Sequence, residues 1–386
     1  MEEYTAYSGG KIKVDFIDPG EDEELQQELY YKGIPQLTFD VIEKDKREQV
    51  NGYMGLAISF GDNIEVVPAI KQDISDLEYQ LTTKIKKVVS DSSVIGFLTS
   101  QGTASLEQEL AVAGQELKNF YTVREVELTS EDPSIDRDID TLVIVGPKEQ
   151  FDEGQLRAIN NFAVQGGALL ILVDGVVVGD GLAASVQATG IEGLISEYGI
   201  KLNSDLVADQ KNGVISFRRG IFPVSMNYPF WPQIIGEGFS SDYAAVSGLE
   251  NVILPWASSI SIDDEKLSSA QVDKLLVTTK ESWTQADNFK IIPTEIPKVT
   301  SGLKEHTLAV AVSGTLHNAY VEDDAADTFD GKVTVVSDSD FIRDSNILDA
   351  RGGINLPDNL NLFLNLVDSL SLYDDLLEIR SKTATS

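Results

Sequence analysis

Two short runs of apolar residues, separated by an amphipathic segment, mark the middle of the chain. Leu142–Val145 and Ala168–Val173 are continuous and consist mainly of valine, isoleucine and leucine, which is typical of strands buried on both faces of a parallel sheet. Between residues 151 and 162 apolar side chains recur at near-helical spacing, and Gly166-Gly167 ends the segment. The pattern predicts a β-α-β unit, in which a right-handed crossover lays a helix on a parallel sheet.

The chain on either side of this unit continues the α/β pattern. The predicted strands are Val94–Thr99, Tyr121–Leu128, Leu202–Ala208, Leu275–Thr279, Thr307–Ser313 and Val333–Ser337, and the predicted helices are Ala104–Phe120, Leu182–Tyr198 and Asn359–Leu372. Residues 209–275 are the least regular part of the chain and are expected to form a loop-rich insertion with short strands. Strands alternating with helices favour α/β architecture, so residues 91–386 are predicted to form a large α/β domain with a mainly parallel open sheet.

The first ninety residues carry a separate pattern. The predicted elements are a strand over 11–17, a helix over Glu21–Tyr31, strands over Gln36–Ile42, Tyr53–Phe60 and Ile64–Ile70, and a helix over Ile74–Val89. A Gly-Asp-Asn turn at 61–63 favours a hairpin between the last two strands. The order β-α-β-β-β resembles the second half of a thioredoxin-like unit. Residues 1–90 are therefore predicted to form a small thioredoxin-like α/β domain, truncated at its N-terminus.

Charge and composition exclude several classes of function. The 386 residues include 63 acidic and 30 basic side chains, for a formal net charge of −33. Such a surface repels phosphates and anionic lipids, so nucleic-acid binding and direct binding to a membrane surface are not expected. Cysteine is absent, which excludes disulfides, thiolate metal sites and cysteine nucleophiles. With two histidines, a multi-histidine metal site cannot be built either.

The ends of the predicted strands hold the first candidate site. Thr99, Ser100, Gln101 and Gly102 follow the first strand of the large domain, Gly146-Pro147-Lys148 follows a later one, and Asp174 follows the next. Because open α/β sheets place their ligand crevice at the carboxyl ends of the strands, these residues are predicted to line one crevice for a ligand or partner. A phosphate cradle is not favoured, because Pro147 lacks a backbone N–H and no Walker A string occurs.

Ser100 is open to two interpretations. It could be a nucleophile, but an activating base must then lie beside it, and His306 and His317 are the sole histidines. The alternative is that Ser100 or Thr103 caps the helix that follows.

A cluster of carboxylates follows the last predicted strand. Asp338, Asp340 and Asp344 lie within seven residues, and carboxylate oxygens are the ligands that Mg²⁺ and Ca²⁺ prefer. Two other interpretations remain open, a structural turn in which aspartates cap the backbone and pair with Arg343, and a contact with a partner.

Several short strings, taken in order, carry a resemblance to a known family. They are Ser8–Val14 with Phe16–Pro19, Asn51–Leu56, Leu77–Tyr79 with Leu81-Thr82, Ile95–Thr99, Val145–Lys148, Gly166-Gly167, Pro229–Pro232, Leu276–Thr279, Ser337–Phe341 and Ile379–Lys382. Together they resemble the gliding-motility-type auxiliary component of ABC transporters, an uncharacterised ABC-type transport family. That family is related to gliding protein G and to the N-terminal domain of an intraflagellar transport subunit.

The resemblance implies a domain on the extracytoplasmic, periplasmic side of the cytoplasmic membrane. Its partners would be ABC transporter permease and ATPase subunits, and membrane attachment would come only through flanking helices absent from this chain. The large domain would have a flavodoxin-like or glutamine-amidotransferase-like fold without catalytic residues. One departure is Ser100-Gln101-Gly102-Thr103, where many relatives carry Gly-His-Gly-Glu, so a function that depends on that histidine and glutamate is in doubt for this chain.

These observations lead to one principal expectation and two alternatives. The chain is expected to be a non-catalytic binding or scaffolding domain of a transport system, with no cofactor, no metal and no catalytic residue. The first alternative is a degenerate or cryptic hydrolase that uses Ser100. The second is a carbohydrate- or cation-binding module.

Overall fold

The computed structural model describes residues 11–20, 22–43, 46–61, 63–70, 77, 81, 84–85, 88, 93–219, 222–321 and 326–371. The chain divides into two compact units, Met1–Asp91 and Ser92–Ser386. Each unit has sheets of its own.

The first unit contains one described helix and two hairpins. Its elements are α1 (Glu23–Tyr31), β1 (Leu37–Glu43), β2 (Lys46–Gly52), β3 (Leu56–Phe60) and β4 (Asn63–Val67). Asp22 begins α1 by accepting the N–H groups of Glu24 and Leu25 on its side chain. The antiparallel pair β3–β4 confirms the predicted hairpin. The thioredoxin-like arrangement stays a prediction, because the described strands form two separate two-stranded sheets.

The predicted strand at residues 11–17 is wrong. These residues have no strand structure, and Phe16 is 93% exposed. Alternation alone does not make a strand, because a strand also needs a neighbour that accepts and donates its backbone hydrogen bonds. Most of the predicted helix at Ile74–Val89 lies outside the described residues.

The second unit is a mixed α/β structure. In chain order its elements are β5 (Val94–Leu98), α2 (Ala111–Lys118), β6 (Thr122–Val126), β7 (Thr141–Val145), α3 (Glu153–Val164), β8 (Ala168–Leu172), β9 (Val176–Gly179), β10 (Ala183–Val186), α4 (Ile191–Glu197), β11 (Ile200–Leu202), β12 (Leu206–Asp209), β13 (Asn212–Arg219), β14 (Phe222–Ile234), α5 (Ala244–Ser247), β15 (Val252–Ile253), β16 (Ile260–Ile262), β17 (Ala270–Val277), β18 (Ser282–Gln285), β19 (Thr307–His317), β20 (Thr328–Val336), α6 (Asp344–Ile347) and α7 (Pro357–Ser371).

A nine-stranded sheet organises this unit. Its strand order is β11-β16-β19-β20-β8-β7-β5-β6, and β17 also pairs with β19. The pairs from β20 to β6 are parallel, whereas β19 pairs antiparallel with β16, β17 and β20. The mainly parallel central sheet predicted from the apolar runs is thus confirmed. The register Val143↔Leu170 and Val145↔Leu172 aligns the ends of β7 and β8.

Two hydrophobic clusters cover the two faces of the sheet. Along β8, Leu170 and Leu172 belong to one cluster, while Leu169 and Ile171 belong to the other, as the period of two along a strand requires. Helix α7 packs on the first face through side chains such as Phe363, and α3 and α4 pack on the second. The result is a sheet between two helical layers, which explains why its central strands are apolar on both sides.

Two predicted elements of this unit are wrong. Residues 104–110 form turns rather than the start of a helix, which begins only at Ala111. The predicted helix Leu182–Tyr198 contains strand β10 before the short helix α4, because Gly190, with a φ of +95°, separates the two. The insertion predicted at 209–275 contains the hairpin β13–β14, whose register runs from Asn212↔Pro232 to Arg219↔Phe222 and whose strands of 8 and 13 residues are longer than the short strands expected.

Candidate functional site

The carboxyl ends of the parallel strands meet at one edge of the sheet. Numbered along the chain, the parallel strands β5, β6, β7, β8 and β20 lie in the order 2-1-3-4-5, so the order reverses between β5 and β7. The residues that follow β5, β7, β8 and β20 form four loops at this edge, which we call the carboxyl edge: Thr99–Thr103, Gly146–Lys148, Val173–Gly175 and Ser337–Asp340. A reversal of this kind is where open α/β sheets place a crevice.

The loops after β5 and β7 are joined by backbone hydrogen bonds. The N–H groups of Lys148 and Glu149 donate to the carbonyl of Gln101 at 2.8 and 2.9 Å. Gln101 has a φ of +56° and Gly102 a φ of +67°, an unusual conformation for a glutamine. The side-chain Oε1 of Gln101 is buried, and no described residue donates to it. The first two predicted segments therefore lie side by side, and their outer surface includes the exposed side chain of Lys148.

Gly146 lets the loop after β20 approach the loop after β7. Its N–H donates to the carbonyl of Leu172 at 2.8 Å, and its φ is +56°. A Cβ at this position would lie 2.5 Å from Ser339 Oγ and 3.0 Å from a guanidinium nitrogen of Arg343. Glycine is required here by both the conformation and the contact.

Asp174 binds the loop after β20. Its carboxylate accepts the backbone N–H of Ser339 at 2.8 Å and the hydroxyl of Ser339 at 2.6 Å. Burial and the nearby charge of Asp340 raise the pKa of Asp174 to about 6, although the hydrogen bonds from Ser339 and the charge of Arg343 act in the opposite direction.

Asp338 and Asp340 extend this acidic group. Asp338 is fully buried, and its Oδ1 accepts the N–H of Asp340 at 2.7 Å, while its Oδ2 has no donor in the described part of the chain. Burial and the charges of Asp340 and Asp174 raise the pKa of Asp338 well above its usual value, which favours the neutral form of this carboxyl. Burial also raises the pKa of Asp340, against the charges of Arg343 and Lys148.

Arg343 connects this group to the segment before α2. Its Nε lies 2.7 Å from Asp340 Oδ1, and its Nη1 donates to Glu109 Oε1. Burial would raise the pKa of Glu109, but the N–H of Ser105 and the charge of Arg343 bring it below its usual value. The pairing of Arg343 with an aspartate was one of the interpretations of the sequence, and it is confirmed.

Asp344 has a structural role. Its carboxylate accepts the N–H groups of Ala111 and Val112 at 2.9 and 3.2 Å, so it caps α2 from a distant part of the chain. Among the described residues, no group of three or more His, Asp or Glu side chains is arranged to hold a metal ion. The fold brings the three predicted aspartates near one another, but each has a structural contact. Asp338 accepts a backbone N–H in a turn, Asp340 pairs with Arg343, and Asp344 caps α2.

Ser100 lacks the geometry of a nucleophile. Its hydroxyl oxygen accepts the N–H of Leu128 at 3.2 Å. His306 instead contacts Ser282 Oγ through Nδ1 at 2.9 Å, and that hydroxyl donates to the carbonyl of Lys304. The expectation that Ser100 or Thr103 caps the next helix is wrong, because Thr103 donates to the carbonyl of Leu98 and Asp344 provides the cap.

Sequence reasoning missed the role of Glu109 and of Ser339. Glu109 lies in a segment predicted to be helical, where nothing marks it as the partner of an arginine 234 residues away. Ser339 stands between two aspartates, and only the contact with Asp174, 165 residues away, gives it a function in the loop.

Comparisons with known proteins agree with the resemblance in the sequence. The family model described as "ABC-type uncharacterized transport system" matches residues 92–366, which is most of the chain. A second model, described as a domain of unknown function, matches residues 1–59. Among curated proteins, none matches this sequence. Among the described helices, none combines the length and apolar content needed to cross a membrane.

Solved structures give distant similarities. The structure described as "mmIFT52 N-terminal domain" is 14% identical, with a TM-score of 0.47, and the match covers 72% of this chain and 98% of that one. A beta-galactosidase from Bacillus circulans sp. alkalophilus is 11% identical, with a TM-score of 0.30, and the match covers 76% of this chain and 34% of that one. At these scores neither similarity bears on activity.

Proposed function

The chain belongs to the family described as ABC-type uncharacterized transport system, and from that premise we propose that it is a non-catalytic binding and scaffolding domain. As an auxiliary component of an ABC-type transport system, it would act on the extracytoplasmic side of the membrane. Its partners would be the permease and ATPase subunits, and attachment would come through flanking membrane helices outside this chain.

The proposal that the domain is non-catalytic rests on one observation: the carboxylates at the carboxyl edge are bound to other parts of the chain. Asp174 is bound to Ser339, Asp340 to Arg343, and Asp344 to the start of α2. A hydrolase would need a nucleophile with a base within hydrogen-bond distance, whereas the Ser100 hydroxyl accepts a backbone N–H. We also propose that the fold is flavodoxin-like. The strand order 2-1-3-4-5, which is that of flavodoxin-like sheets, supports this part of the proposal.

The exposed part of the carboxyl edge is the surface we propose for the partner. Thr99, Gly102, Lys148 and Glu149 are exposed there, on loops that are joined by the hydrogen bonds to Gln101. A surface formed by rigid, mutually bonded loops suits recognition without chemistry, because no ordering of the loops is needed on binding.

Co-purification of the tagged chain with the permease and ATPase of its own transport system tests this proposal. Lys148→Glu should reduce recovery of both subunits, and Lys118→Glu should not, because Lys118 is exposed at the far end of α2 and the change of charge is the same. Equal recovery with both variants would contradict the placement of the surface. Failure of the unaltered chain to recover either subunit would contradict the partners.

A hydrolase screen tests the non-catalytic part separately. We expect no esterase or glycosidase turnover above that of the Ser100→Ala variant, with circular dichroism showing that both proteins are folded. Turnover that the unaltered chain has and Ser100→Ala lacks would establish the hydrolase alternative instead.

A further inference from the structure

A cavity beside strand β18 lies apart from the carboxyl-edge loops. Its volume is about 390 Å³, and its lining includes Trp283, Gln285, Lys290, Lys304 and His306. We call it the β18 pocket. Backbone N–H groups of two lining residues form hydrogen bonds: the N–H of Lys304 donates to the carbonyl of Ser282 at 3.0 Å, and the N–H of Lys290 donates to the side-chain Oε1 of Gln285 at 2.8 Å.

Two residues that line this pocket each have a buried donor for which the described part of the chain supplies no acceptor. Trp283 is 6% exposed, and the donor is its indole Nε1. In Gln285 the donor is the amide Nε2. The two residues are two positions apart on one strand and therefore lie on the same face of it. A buried donor without an acceptor destabilises the folded state, and native structures contain few of them.

The unpartnered groups of Trp283 and Gln285 have the same hydrogen-bonding chemistry. An indole N–H and an amide NH₂ can only donate, so the complementary group must supply acceptor atoms. Lys290 and Lys304 add two ammonium groups to the lining, against the single carboxylate of Asp287. In a chain with a net charge of −33, a pocket with more cations than anions is a local reversal of sign.

Two further features narrow the class of ligand. Pro297 and Val299 line the pocket with apolar surface, which suits the carbon frame of an organic molecule. Burial and the charge of Lys304 lower the pKa of His306, so the imidazole adds no positive charge at neutral pH, and the lysines alone carry it.

We propose that the β18 pocket binds a small organic carboxylate, whose oxygens accept from Trp283, Gln285 and the lysine ammonium groups while its carbon frame contacts Pro297 and Val299. This site is independent of the partner surface proposed at the carboxyl edge. A failed co-purification would leave it standing, and a failed titration would leave the partner surface standing.

The indole N–H of Trp283 provides a direct readout. The chain has three tryptophans, so a ¹H–¹⁵N spectrum of the labelled protein shows three indole signals, and Trp283→Phe identifies one of them by its loss. Titration with citrate, glucuronate or glutamate is expected to move that signal downfield to saturation, because a new acceptor deshields the proton. The signals of the other two tryptophans should stay in place.

Matched lysine variants distinguish a specific binding site from non-specific electrostatic attraction. Lys304→Gln should weaken the binding of the responding carboxylate at least about tenfold, since a hydrogen bond to a charged group contributes about 1.5–3 kcal/mol. Lys201→Gln removes an equal charge from an exposed position on β11 and should leave the dissociation constant unchanged.

Three results would overturn the proposal. The first is a Trp283 signal that none of the three carboxylates moves, which would leave water as the acceptor. The second is an equal response to glucose or inorganic phosphate, which would contradict the carboxylate class. The third is an equal loss of affinity in Lys304→Gln and Lys201→Gln, which would indicate non-specific attraction.

Discussion

Replacement of Asp174 by asparagine should change how the stability of the protein depends on pH. Folding raises the pKa of this carboxyl from 3.8 to about 6, so the folded state favours the protonated form. Ionisation of Asp174 therefore opposes folding. The cost is nearly absent below pH 3.8, grows as the pH rises between 3.8 and 6, and is complete above pH 6.

The size of the effect follows from the same two pKa values. A shift from 3.8 to about 6 gives a full cost of about 3 kcal/mol at pH 7.5 and roughly half of that at pH 5. Asparagine removes this cost but accepts only one of the two hydrogen bonds that Ser339 donates, which costs about 1 kcal/mol. The variant should thus differ little in stability from the wild type at pH 5 and be about 2 kcal/mol more stable at pH 7.5.

Urea unfolding at pH 5.0, 6.0 and 7.5, followed by tryptophan fluorescence, measures this difference. Asp349→Asn is the control, because Asp349 is exposed and backbone N–H groups of Gly353 and Arg351 lower its pKa. For such a group, substitution brings no gain as the pH rises. A difference between Asp174→Asn and the wild type that is constant from pH 5.0 to 7.5 would refute the assignment of a raised pKa to Asp174.

Three other changes test the carboxyl edge by the same unfolding measurement at pH 7. Asp338→Asn should alter the free energy of unfolding by less than about 1 kcal/mol, because burial favours the neutral form of the carboxyl, which an amide resembles, and Oδ1 keeps its bond to the N–H of Asp340; a loss above about 3 kcal/mol would contradict the raised pKa of Asp338. Asp344→Ala should cost about 1–2 kcal/mol through loss of the α2 cap, and Asp344→Asn should recover part of it. Gly146→Ala should cost at least about 3 kcal/mol, whereas Gly181→Ala, with a φ of +70° and no atom within 4 Å of the new Cβ, should cost about 1 kcal/mol; equal costs would contradict the contact with Ser339.

The central sheet could be predicted because its signal is local. Thr141–Val145 and Ala168–Leu172 are buried along their whole length, and a strand covered on both faces needs a continuous apolar run. The meeting of residues 99–102, 146–148 and 174 could be predicted for the same reason, since parallel strands end at one edge. Their function as a partner surface stays a proposal.

The elements that were predicted wrongly depend on distant contacts. Leu106 and Leu110 are buried, as a helix from Ala104 would require, yet the helix starts at Ala111, where Asp344 accepts its free N–H groups. A cap supplied from 233 residues away leaves no local signal. In β13–β14, a register shift between Asn212 and Val214 interrupts the regular pairing at one end of the hairpin.

The segment from Ser339 to Asp344 explains why the carboxyl edge holds acidic groups without presenting an open acidic site. Ser339 bonds to the loop after β8, Arg343 bonds to Glu109, and Asp344 bonds to the start of α2. The carboxylates are thereby used to hold three parts of the chain against the end of β20. The raised pKa of Asp174 shows that burial outweighs these contacts there, so its charge at neutral pH is retained at a cost in stability, whereas burial favours the neutral form of Asp338. A partner that binds this edge would contact the exposed loops around Lys148. Protonation of Asp174 would alter its hydrogen bonds with Ser339, which lie next to these loops.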